Sequence, residues 1–104
     1  MSQGIHSYLR WLDAGISPYH CVETAAGTLS QAGFAALDMA APFALARGGK
    51  YYVKNGSFLA AFAIGAEPDH FRIAAAHTDW PCLKLKPDPE QVTGGCCKLS
   101  VEPY

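Results

Sequence analysis

His77 and Asp79, a histidine and an aspartate two residues apart, are the side chains best suited by type and spacing to do chemistry. In extended backbone, residues i and i+2 point to the same side, about 6.5–7 Å apart along the chain. A short carboxylate so placed can accept the imidazole Nδ1 proton and leave Nε2 with its lone pair. That is how a supporting carboxylate prepares a histidine to bind a metal. The same pair could instead orient a general base. The plain alternative is a strand-end histidine capped by its neighbour.

The element that must position the pair is the apolar run Phe71-Arg72-Ile73-Ala74-Ala75-Ala76, closed by Pro68-Asp69 on one side and Pro81 on the other. Short apolar runs between turn residues read as buried strands. Ligands bind beyond the C-terminal ends of strands in open α/β sheets. His77 is therefore expected at the margin of a sheet, on its central strand.

Ahead of it, Ile5, Tyr8, Leu9 and Leu12 recur at helical spacing, and Gly15 can end that helix. Ser17 reads as an N-cap with Pro18 in the first helical position. Val22, Ala25, Ala26, Leu29 and Ala32 form the expected buried stripe of a second helix, which Gly33 stops. His20 falls in its first turn, where polar groups usually serve the helix end. His6 and His70 carry similarly local readings.

Residues 38–49 form a connector whose Ala-rich middle fits either a helical turn or an irregular cover. Lys50–Lys54 and Ser57–Ile64 flank Asn55-Gly56, a strong hairpin signal. Leu83 and Leu85 alternate with Lys84 and Lys86, which predicts a half-wet strand ended by Pro87-Asp88-Pro89. Gly94-Gly95 precedes a last strand from Cys96 to Glu102. The expected class is α/β, with N-terminal helices packed on a mixed β-sheet.

A chain of 104 residues, half of them hydrophobic, makes one domain at most, burying about 60–65% of its unfolded surface. The net charge is −1, and no basic, aromatic-interleaved patch suggests nucleic acid. No apolar run approaches about 18 residues and no export signal begins the chain, so the expected setting is cytoplasmic and away from membranes. Cys21, Cys82, Cys96 and Cys97 are then expected as free, buried thiols. Cys96 and Cys97, being adjacent in a strand, point to opposite faces and chelate poorly.

The segment Ala76-His77-Thr78-Asp79-x-Pro81-Cys82-Leu83-Lys84-Leu85-Lys86-Pro87 resembles the metal-site segment of the M18 zinc aminopeptidases, the aspartyl aminopeptidase group. Ser17-Pro18-Tyr19-His20-Cys21-Val22, Gln31-Ala32-Gly33-Phe34, Gly49-Lys50-Tyr51-Tyr52-Val53, Asn55-Gly56-Ser57 and Ala61-Phe62-Ala63-Ile64-Gly65 follow in the family's order. The resemblance implies a dinuclear zinc peptidase that removes N-terminal residues from peptides, with acidic residues as the substrates the family suggests. It makes His77 one metal ligand and Asp79, on the catalytic side, its supporting carboxylate. The bridging aspartate, the glutamate base and the other ligands come from segments farther along the family's chain, and none of those motifs is present. Residues 1–104 are accordingly expected to be the N-terminal part of the catalytic domain, truncated before or at the family's inserted dimerisation domain. Met1 reads as a plausible native start. The resemblance leads to a serine at position 80, and Trp80 there is expected to narrow the pocket or mark a changed substrate.

The leading expectation is an aminopeptidase portion that is inactive alone, bearing an incomplete site for two zinc ions and self-associating as a homo-oligomer. The alternative is a non-catalytic assembly or partner-binding module derived from the same fold. A hydrolase using His77 and Asp79 with a serine or cysteine nucleophile lacks the required G-x-S-x-G turn.

Overall fold

A computed structural model describes residues 2–67 and 69–103; Met1, Pro68 and Tyr104, including the turn expected at Pro68, lie outside them. The order is α1 (Ser2–Ala14), α2 (Pro18–Gln31), β1 (Ala35–Ala36), β2 (Lys50–Asn55), β3 (Phe58–Ala63), β4 (Leu83–Thr93) and β5 (Cys96–Pro103). β1 pairs parallel with β2, and β2 antiparallel with β3, so the first sheet is mixed. β4 and β5 form a separate antiparallel hairpin. The α/β class stands, but with two sheets instead of one.

The helices start and stop where local chemistry directs. Ser17 has extended backbone, and its hydroxyl accepts the His20 N–H at 3.4 Å, with Pro18 in the first turn. Gly33, at φ +85°, follows the C-cap. Val22 and Ala26, four residues apart on α2, are buried, Ala25 and Leu29 are half-buried, and Ala32 is exposed at the C-cap. They pack with Tyr52 and Val53 of β2, which complete the buried apolar core. Adjacent strand residues point to opposite faces, so this middle strand is covered on both sides. The Lys54 ammonium reaches both carboxylate oxygens of Glu23 at 2.7 Å, joining β2 to α2 at the surface. The stripe of α1 is less sheltered, with Ile5 and Tyr8 largely exposed.

The hairpin turn is Gly56-Ser57, one residue later than expected, because Asn55 pairs with Phe58. Only Gly56 of the two has positive φ, at +59°, which matches a type II′ turn. The β1 strand was not anticipated; Leu37 N–H donating to the Tyr52 carbonyl at 2.8 Å extends its pairing. Residues 38–49 are irregular, made of turns and coil.

The largest correction concerns Phe71–Ala76. This run is not a strand: it lies outside both ladders, with Phe71 93% and Ile73 85% exposed. A strand exists only through a partner, and β3, the outer strand of the first sheet, pairs with β2 alone. His77 therefore follows an extended coil instead of ending a central strand.

A second correction concerns Pro87-Asp88-Pro89, which does not end β4. Leu85 pairs with Val101 and Glu90 with Leu99, so five steps on β4 match two on β5. Asp88, at φ +49°, sits in the resulting bulge, the setting in which strands tolerate proline. The odd step keeps Leu83, Leu85 and Val92 on one face with Leu99 and Val101, since directly paired residues share a face. That face is exposed, Val92 by 79%. Gly94 and Gly95, at φ +58° and +77°, supply the two left-handed positions of a type I′ turn.

All four cysteines are free, as expected, but Cys96 and Cys97 are exposed and Cys21 and Cys82 only half-buried. The long hairpin and the uncovered coil give an accessible surface of 8584 Å², where a compact chain of this mass would expose about 5,700 Å². The radius of gyration is 19.3 Å, against about 13 Å for a compact domain of this length.

Candidate functional site

His77 lies between the uncovered coil and Pro81, with its side chain 83% exposed. Its Nδ1 stands 2.7 Å from the Asp79 carbonyl oxygen and 3.2 Å from Asp79 Oδ1. A carbonyl oxygen only accepts. Nδ1 therefore donates, and in the neutral ring Nε2 carries the lone pair. Spacing led to the carboxylate as the acceptor; the structure gives Asp79 both acceptors, the carbonyl being nearer.

Two contacts hold this turn to the rest of the chain. The Thr78 hydroxyl donates to the Ser57 carbonyl at 2.9 Å, tying it to the β2–β3 hairpin turn. Trp80 borders a groove of about 240 Å³ at the α1–α2 connection, lined also by Trp11, Leu12, Gly15 and Cys21. Its indole reaches to 3.7 Å from where a Cβ on Gly15 would stand. Beside Asp79, a cleft of about 200 Å³ is bordered by Pro18, Tyr19, Ser57 and Thr78. Trp80 does not border that cleft. No spacing pattern links Ser57 or Tyr19 to Thr78, because the chain must fold to bring them together.

The other histidines keep local partners or remain apart. His20 Nδ1 is 2.7 Å from Ser17 Oγ at the start of α2, and His70 pairs with its neighbour Asp69. His6 is exposed on α1. Among the described residues, no group of three or more histidine, cysteine, aspartate or glutamate side chains is placed to hold a metal ion. Zinc set for hydrolysis needs three protein ligands and an open position. The donor chemistry of His77 fits one such ligand, and the described residues do not complete the set. No helix among them is long and apolar enough to cross a membrane.

The sequence profile of the Aminopeptidase I zinc metalloprotease (M18) family matches residues 11–104. The chain belongs to the M18 family. It is 42% identical over its whole length to Probable M18 family aminopeptidase 2 of Stutzerimonas stutzeri (strain A1501), covering 24% of that protein. It is 40% identical to the protein of the same name from Ectopseudomonas mendocina (strain ymp), over 96% of this chain and 24% of that one. The fold superposes with a TM-score of 0.87 and 32% identity on a chain of the cryo-EM structure of the Ape4 and Nbr1 complex, over 94% of this chain and 20% of that one. The chain thus spans about a quarter of the length of these curated M18 relatives. The α/β arrangement and the M18 resemblance read from the His77 segment both agree with these matches.

Proposed function

We propose that this chain supplies one margin of the active site of a zinc-dependent M18 aminopeptidase, which hydrolyses N-terminal residues from peptides. His77 provides one zinc ligand through Nε2, and Asp79 fixes its ring and tautomer. The other ligands of a two-zinc centre lie outside these 104 residues, so the chain alone does not turn over substrate. Peptides with an acidic first residue are the substrate class. The observation that carries this reading is His77 Nδ1 held by both acceptors of Asp79, in a chain whose family is described as zinc metalloproteases. When bound, the metals supply Lewis acidity toward the peptide carbonyl; the residues here hold and orient one ligand.

The test is complementation. The chain is co-purified with the portion of the Stutzerimonas stutzeri relative that it does not match, and cleavage of aspartyl and glutamyl p-nitroanilides is followed. Chelator-sensitive hydrolysis is expected. Loss of a partner to a metal ligand typically costs about 10–100-fold; Asp79→Asn keeps the nearer carbonyl acceptor and is expected to cost less than that, and His77→Ala, which removes the ligand itself, more. Full activity with His77→Ala would contradict the assignment.

A second reading, an assembly module, is favoured by one observation: the apolar face of the β4–β5 hairpin is exposed together with Phe71 and Ile73. Such surface supports self-association whether or not the chain takes part in catalysis.

A further inference from the structure

The geometry points to Trp80 as a positioning residue for His77: its indole, lodged beside the α1–α2 connection, holds the Asp79–Trp80 peptide so that the Asp79 carbonyl accepts the hydrogen bond from His77 Nδ1–H. The carbonyl that lies 2.7 Å from Nδ1 belongs to the planar peptide joining Asp79 to Trp80. Whatever fixes Trp80 therefore fixes that acceptor. Two features do so. Pro81 restricts the backbone of the residue before it to extended conformations. The half-buried indole lines the groove beside Gly15, Leu12 and Cys21, its edge 3.7 Å from where a Cβ on Gly15 would stand. Thr78, bonded to the Ser57 carbonyl, pins the other side of the turn. The histidine is thereby held from both sides in a segment that belongs to no sheet. The consequence for zinc rests on the reading of His77 as a ligand; the seating of the indole does not.

The test is NMR of the 15N-labelled chain at a pH where imidazoles are neutral. In the wild type, contacts from the Trp80 indole to Gly15 and the Nδ1–H tautomer of His77 are expected. Trp80→Ala is expected to move the tautomer ratio toward Nε2–H by about fivefold, the size of one net hydrogen bond. Trp80→Phe, which keeps an aromatic ring beside Gly15, is expected to restore the wild-type ratio. A tryptophan that only stabilised the fold would change the melting midpoint and leave this ratio alone. Should Trp80→Ala fail to fold, Trp80→Val replaces it, its short side chain withdrawing from Gly15, with the same shift expected. An unchanged ratio in the variant that folds, a Trp80→Phe that does not restore it, or absence of the indole–Gly15 contact would each overturn the proposal. Zinc dependence of the complemented pair is read separately, so failure of His77 as a ligand leaves the tautomer result standing, and the reverse.

Discussion

Val22→Ala tests whether the α2–β2 contact is what holds the helices to the sheet that carries the Ser57 anchor. Val22 is 1% exposed, the most deeply buried large side chain described, while Val92 on the β4–β5 hairpin is 79% exposed. The same two-carbon truncation can therefore be made at both extremes of burial. At Val22 the lost transfer energy is about 1.6 kcal/mol, at about 0.8 kcal/mol per buried carbon. The cavity left behind raises this to about 2–3 kcal/mol. At Val92 the cost should stay below about 0.5 kcal/mol. A chain of this length at the low end of ordinary stability has about 5 kcal/mol in total, and a core built on Val22, Ala26, Tyr52 and Val53 places it there. Urea unfolding followed by far-UV circular dichroism reads the difference. With a slope of about 2 kcal/mol/M, Val22→Ala should lower the midpoint by about 1 M or more, and Val92→Ala by much less. Equal shifts for the two variants would refute this placement of the core.

Two further predictions follow from exposed features. Gel filtration at high concentration should show the chain larger than a monomer, and replacing Leu85 and Leu99 by lysine on the apolar hairpin face should shift it toward monomer; a wild-type monomer would contradict this role for that face. Gly95→Ala, at φ +77°, should cost about 1–2 kcal/mol and weaken the Thr93–Cys96 pairing, seen as faster amide exchange; unchanged exchange would show that the turn does not need the left-handed position.

What was legible in the sequence was what short-range chemistry decides. Ser17-Pro18 starts α2 and Gly33 ends it, as the types of those residues dictate. Asn55-Gly56 marks the β2–β3 hairpin to within one residue. The pairing of His77 with Asp79 followed from their spacing, although the nearer acceptor is a backbone carbonyl that no side-chain pattern reveals. The failures depend on partners distant in the chain. Phe71–Ala76 has a strand's composition, yet a strand is a property of two segments, and the described residues give it no ladder. Pro87 and Pro89 do read as breakers. They interrupt β4 without ending it because β5 continues to pair on either side of the bulge. Trp80 reads as an obstacle beside His77 until its indole is seen close to Gly15.

Zinc analysis of the 104-residue chain alone, after gel filtration in chelator-treated buffer, tests the central claim most directly. One well-oriented imidazole does not hold zinc tightly, because structural and catalytic sites draw their affinity from three or four ligands in one geometry. The account predicts zinc far below one ion per chain, unchanged in His77→Ala. One tightly held zinc per chain, lost in that variant, would contradict it by showing that the site is completed by further ligands of this chain or by a second copy of it.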